Sequence, residues 1–214
     1  MATEANIRLP DDLLAQITDI AAREGKTPDE MATEAIKREV ARRLIAKLPS
    51  KPSGMTEEEE IEAAVRAVHD YRRGRQVKVV LDTNILISGL RYRGKPREVI
   101  QMGVERTLDV ALSPPIVGET LRVPRDKFQA TPEQPSNAET IMEACGRMVH
   151  PTVRLDVAPD DPNDNHIVET AVPAGADAII TGDKDLLRLE NYQGIRMVRV
   201  SDFLHKELPL PLPE

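Results

Sequence analysis

The chain has 214 residues, 40% hydrophobic and 30% charged, the balance of a folded globular protein rather than a disordered one. Aromatic residues make up 2% and Trp is absent. The core must therefore be built from Leu, Ile, Val, Ala and Met, and the shortage argues against base stacking on many aromatic platforms. The net charge of −7 lowers the expectation of nucleic-acid binding without deciding it, because carboxylates gathered around a cation would themselves supply negative charge.

The first residues, MATEANIRLPDD, have neither the basic start nor the apolar run of a secretory signal. No apolar stretch approaches membrane-spanning length, and a single Cys145 forms no internal disulfide. These features predict a cytoplasmic protein without membrane association. Asn6-Ile7-Arg8-Leu9 alternates as a short strand that Pro10 stops. Asp11 stands where a helix cap belongs, before Leu13, Leu14, Ile17, Ile20 and Ala21 at helical spacing, and Gly25 ends that helix. Thr27-Pro28-Asp29-Glu30 combines a Thr cap, Pro at the first helical position and Glu three residues after the cap. A second helix follows with an apolar stripe of Met31, Ala35, Ile36, Val40 and Leu44. One strand and two helices bury too little to stand alone, and a lone strand needs another strand at its edge. An intertwined dimer is the expectation.

The segment IRLPDDLLAQITDIAAREGKTPDEMATEAIKREV resembles ribbon-helix-helix proteins, the DNA-binding fold of many repressors and antitoxins. The resemblance implies that Asn6 and Arg8 face the DNA major groove, where Asn suits adenine and Arg suits guanine. It places Lys26 and Thr27 at a phosphate, which the N–H groups of a helix start favour. Glu4 is an awkward neighbour for DNA, so a dimerisation module that binds none stays open.

Pro49-Ser50-Lys51-Pro52-Ser53-Gly54 reads as a hinge. A capping box of Thr56 and Glu59 then opens a helix with Ile61, Val65 and Val68 on one narrow face, and Arg72, Arg73 and Arg75 follow it. The organisation expected is residues 1–48 as the dimerising module, 49–76 as linker and connecting helix, and 77–214 as a second domain.

That domain alternates strands and helices. Strands are predicted at Val77–Asp82, Leu108–Leu112, Thr152–Leu155, Asp177–Thr181 and Ile195–Val200. Helices are predicted around Pro96–Val104, Ile116–Val123, Ala138–Val149, Asp164–Ala171 and Lys184–Leu189. Short apolar strands between helices imply an α/β fold with a parallel sheet covered on both faces. LDTNILISG after the first strand is not a glycine-rich phosphate loop, which disfavours a nucleotide cofactor. Cys145 falls in the apolar stripe of Ile141, Ala144 and Met148, so a core role outweighs a nucleophilic one.

Two strands run directly into acids, at Asp82-Thr83-Asn84 and at Thr181-Gly182-Asp183-Lys184-Asp185. Ligand sites of open parallel sheets lie beyond the carboxyl ends of the strands. Either acid alone could simply cap the next helix. Asp160, Asp161 and Asp164 crowd the start of another helix, and carboxylates held together repel unless a cation or a proton lies among them. Oxygen ligands without a Cys/His set point to Mg²⁺ or Mn²⁺ rather than zinc. His166 is expected to face solvent or to pack.

VVLDTNILISGL, SPPIVGETLRV and DPNDNHIVETAVPAGADAIITGDKDLL resemble the PIN-domain nucleases, most of all VapC-type toxin components of toxin–antitoxin systems. The resemblance runs from Val77 to Phe203. It implies four metal-binding, catalytic carboxylates, Asp82, Glu119, Asp164 and Asp183, with Glu119 resting on the family pattern alone. Thr83, Asn84 and Thr181 would support them, and Asp161 and Asp185 are substitutes or outer ligands. Pro173 departs from the family pattern and is expected to end its helix early. The resemblance implies RNA as substrate, with operator DNA as a further partner through the N-terminal module. A homodimer or a higher even-numbered homo-oligomer is expected. Arg72, Arg73 or Arg75 could block the acidic pocket, or could equally be solvated or touch RNA. A DNA-binding regulator with a catalytically weak PIN scaffold is the alternative from a different class.

Overall fold

The computed structural model describes residues 9–48, 76–127, 133–157 and 164–205. Two helices come first, α1 (Asp11–Glu24) and α2 (Pro28–Lys47). Helix α1 is capped by Pro10 without a side-chain bond, so Asp11 is its first residue rather than its cap. There Asp11 and Asp12 complement the positive end of the helix. Gly25 ends it in the left-handed conformation (φ 68°), as the spacing predicts. The capping box forms in full: the Glu30 N–H donates to Thr27 Oγ1 at 3.2 Å, and the Thr27 N–H donates to Glu30 Oε2 at 2.8 Å.

The remainder contains β1 (Lys78–Leu81), α3 (Thr83–Arg91), α4 (Lys95–Val104), β2 (Asp109–Leu112), α5 (Pro114–Lys127) and α6 (Glu133–Cys145). It continues with β3 (Gly146–Met148), α7 (Asn165–Ala174), β4 (Ala178–Ile180), α8 (Lys184–Arg188), β5 (Asn191–Tyr192), β6 (Ile195–Val198) and α9 (Val200–His205). The strand order is β3-β2-β1-β4-β6-β5, parallel throughout except for β5, which pairs antiparallel with β6. Buried Val79, Val80 and Leu81 make β1 a central strand, apolar on both faces. The chain steps outward from β1 to β2 to β3, then returns across the sheet to β4. With right-handed crossovers, the outward helices cover one face and α7, which packs on β1, β2 and β4, covers the other. The order reverses between β1 and β4, which places the topological switch point at the C-terminal ends of those two strands.

Three expectations need correction. The third strand is Gly146–Met148, not Thr152–Leu155, and α6 stops at Cys145 rather than at Val149. The apolar spacing of Ile141, Ala144 and Met148 runs on past Gly146, but that glycine breaks the helix. Its missing side chain lets β3 approach β2, where a Cβ would stand 2.7 Å from the Val110 carbonyl oxygen. Met148 accordingly leaves the core and is 48% exposed. The Leu155 N–H donates to Glu169 Oε1 (2.9 Å) and the Val157 N–H to Asn165 Oδ1 (2.9 Å), so α7 side chains replace the expected ladder. Helix α3 follows β1 without having been expected. Finally, α7 passes through Pro173 and ends at Gly175 in the left-handed conformation (φ 60°).

Cys145 is fully buried, and burial pushes its thiol up to about 12, so it is a core residue as expected and no nucleophile. Helix α2 packs on α6 and α4. Ala41 and Ile45 join the same hydrophobic cluster as the sheet residues, and Lys37 Nζ lies 2.7 Å from Glu143 Oε2. Among the described residues no helix is long and apolar enough to cross a membrane.

Candidate active site

Asp82 follows β1 at the switch point and is 3% exposed. Its N–H donates to the Ile180 carbonyl (3.0 Å), which aligns the ends of β1 and β4. Both carboxylate oxygens accept bonds, Oδ1 from the Asn84 N–H at 3.3 Å and Oδ2 from the Thr181 hydroxyl at 2.6 Å. Thr181 also accepts from the Asp183 N–H at 2.9 Å, so one buried hydroxyl couples the two strand-end acids. Burial raises the Asp82 carboxyl above the ordinary carboxylate range, the Thr181 and Asn84 bonds oppose this, and the negative charges of Asp183 and Glu119 raise it further. Asp82, Asp183 and Glu119 therefore share one electrostatic environment.

Asp183 caps α8 through Oδ1, which accepts from the N–H groups of Asp185 (2.7 Å) and Leu186 (3.2 Å). Asp82 and Asp183 thus cap α3 and α8, the role that either acid could have had alone. Asp185 pairs with Arg188 at 2.5 Å on the exposed side of α8. Asn84 is exposed, and its backbone N–H meets Asp82. Thr83, buried in the first turn of α3, donates to Glu119 Oε2 at 2.9 Å. Glu119, for which the spacing offered least support, is thereby joined to the end of β1. Asp164 stands at the N-cap of α7 and makes no side-chain cap bond.

His166 packs, its side chain 17% exposed, and its Nε2 lies 3.3 Å from Glu119 Oε2. Ser113 and Thr170 also escaped sequence reasoning; both are fully buried, and their hydroxyls meet at 2.8 Å. The strand-end position that singles out Asp82 and Asp183 is shared by Ser113, which follows β2 but carries no charge to mark it. At the N-terminal end of the chain, Lys26 is held by Glu34 (2.9 Å) and Glu24 (3.1 Å), and the Glu34 bond is the first cause of its raised pKa. Thr27 is occupied by its capping box. Asn6, Arg8, Arg72, Arg73, Arg75 and Asp161 lie outside the described residues, as do the expected first strand and the helix after the hinge.

Among the described residues no three His, Cys, Asp or Glu side chains close around a single point as a metal cage. The donor set nonetheless suits a hard divalent ion. It consists of carboxylate oxygens in a shared negative field, and Mg²⁺ is commonly held by one or two carboxylates with water and phosphate completing the shell.

The PIN domain family model matches residues 78–185, just over half of the chain. The chain belongs to the PIN-domain family. Comparison with curated proteins and with solved structures gave no match. Membership makes this a nuclease fold of a kind that generally depends on divalent metal ions, acting on nucleic acid. The PIN match begins with β1 and ends at Asp185, just beyond Asp183.

Proposed function

We propose that the protein is an endoribonuclease of the toxin–antitoxin type. In this reading Asp82, Glu119, Asp164 and Asp183 hold Mg²⁺ or Mn²⁺, and a ribbon-helix-helix module precedes the PIN domain. The observation that carries it is the buried Asp82 carboxylate, fixed by Thr181 at the sheet's switch point and in the field of two further acids. A protein gains nothing in stability from burying such a charge without a cation to receive it. When bound, the metal would lower the pKa of an attacking water and stabilise the leaving oxygen. Asp82, locked on two sides, presents its carboxylate in one orientation. Thr181 sets the spacing of Asp82 and Asp183, and Thr83 sets that of Glu119. Asp164, not engaged in capping its own helix, belongs to the same set by the family pattern.

The N-terminal module would pair two copies and contact operator DNA through Asn6 and Arg8. Lys26 would exchange Glu24 and Glu34 for a phosphate. A DNA-binding regulator with a catalytically weak PIN domain is the other reading.

The deciding experiment is cleavage of single-stranded RNA by the full chain in Mn²⁺, with D82N as the comparison. The expected loss exceeds ~10²-fold, beyond the roughly 10–100-fold typical of losing an outer-shell partner. Equal activity of the two proteins rejects the nuclease reading. No cleavage by either, with retained DNA binding, favours the regulator.

A further inference from the structure

We propose that His166 is a positioning residue of this site, holding the Glu119 carboxylate in the orientation from which it serves the divalent cation. The inference rests on the metal-dependent nuclease reading and adds a residue to it.

Glu119 sits on α5 and reaches the site through a side chain with three rotatable bonds. Two groups converge on one of its oxygens: the Thr83 hydroxyl donates to Oε2 at 2.9 Å, and His166 Nε2 lies 3.3 Å from the same atom. They come from the first turns of two different helices, α3 and α7, both starting at the carboxyl edge of the sheet. Among the described residues both of these contacts fall on Oε2, which leaves Oε1 to other partners. A carboxylate gripped on one oxygen has its rotamer set before a cation arrives, and ordering it in advance removes that cost from binding. Outer-shell partners act in this way on metal ligands generally.

The backbone that carries the ring is itself held in place. The Thr170 hydroxyl bonds the His166 carbonyl oxygen at 2.7 Å and the Ser113 hydroxyl at 2.8 Å, and both hydroxyl residues are fully buried. Ser113 lies between β2 and α5, the helix that carries Glu119. This buried pair ties the middle of α7 to the residue before α5, which sets the separation of the two backbones from which the ring and the acid project. The same stretch of backbone bears Asp164 two residues earlier, at the N-cap of α7.

The test is Mn²⁺ titration of the metal-free full chain, reading the free-ion signal by electron paramagnetic resonance, for wild type, D82N, H166A and H166Q. H166A is expected to bind Mn²⁺ ~10–100-fold more weakly with an unchanged thermal midpoint in EDTA. H166Q, whose amide keeps a polar group near Oε2, is expected to recover most of the affinity, and excess Mn²⁺ to restore RNA cleavage by H166A. If H166A does not fold, H166Q is compared with wild type and must lie between wild type and D82N. Wild-type affinity in H166A, with D82N unable to bind, overturns this inference alone. A wild-type chain that binds no Mn²⁺ overturns the nuclease reading and this inference with it.

Discussion

At Asp82 the role proposed for a single residue opposes stability. Its carboxyl is raised first by burial and then by Asp183 and Glu119, while Thr181 and Asn84 restrain the shift. A carboxyl raised on folding contributes favourably below its unfolded pKa, and that contribution is lost as pH rises through the folded value. Once ionised, and without metal, Asp82 therefore weakens the fold. Asp82→Asn removes the charge and keeps the shape. In EDTA at pH 7 it is expected to melt higher than wild type, at roughly 2–4 °C for each kcal/mol recovered. The gap should narrow as pH falls through the raised folded value and the wild-type carboxyl takes up its proton. With Mn²⁺ present the order should reverse, because only the wild type gains stability from binding. Thermal melts across pH, with and without metal, measure this; a lower midpoint for D82N in EDTA at pH 7 contradicts it.

At the scale of elements, legibility followed how local each signal was. The apolar runs that became β1, β2 and β4 end in polar residues and could be read within a residue or two. The start of α2 carries its whole capping box in four residues. Helix α3 was missed because LDTNILISGL reads as a strand and its acid, and the nine residues that follow Asp82 offer only a short apolar face. The misplaced third strand came from trusting helical spacing across Gly146. The Glu119–His166–Thr83 meeting could not be read at all, since it joins three helices far apart in sequence. Close packing between elements was equally hidden. Gly103 on α4 faces α6, where a Cβ would stand 2.6 Å from Cys145 Sγ, 2.7 Å from the Cys145 carbonyl oxygen and 2.9 Å from Val110 Cγ2. Gly103→Ala gains about 1 kcal/mol of helix propensity, but overpacking costs about 1–3 kcal/mol. Because one neighbour is backbone and the others are buried, the clash should win and the melting temperature should fall. Gly118→Ala on α5, where a Cβ meets nothing within 4 Å, should raise it. Parallel melts of the two variants decide the matter, and a stabilised Gly103→Ala would show that α4 and α6 can move apart.

Across the whole molecule, α2 is the element that joins the two ends of the chain, and its two sides differ. One side seats Ala41 and Ile45 in the core beside α6 and α4. The other leaves Ile36 48% and Val40 41% exposed, next to α1, which exposes Leu13, Leu14 and Ile20. Five large apolar side chains in one two-helix unit form the surface that pairing of two copies would cover, and solvent alone gives them no partner. The side facing the sheet belongs to the single chain, so the two sides should respond to mutation independently. In the proposed dimer, Ile36→Glu with Val40→Glu is expected to give a folded monomer, read as a halved mass by sedimentation with the melting curve still cooperative. Ile45→Ala is expected to leave the pairing surface intact but to destabilise the chain by about 2–5 kcal/mol, the range for a buried large-to-small change. If the double glutamate variant keeps the wild-type mass, the exposed side of α1 and α2 is not the pairing surface. RNA cleavage by the folded monomer would then show whether one PIN domain suffices, because every acid of the proposed site lies within a single chain.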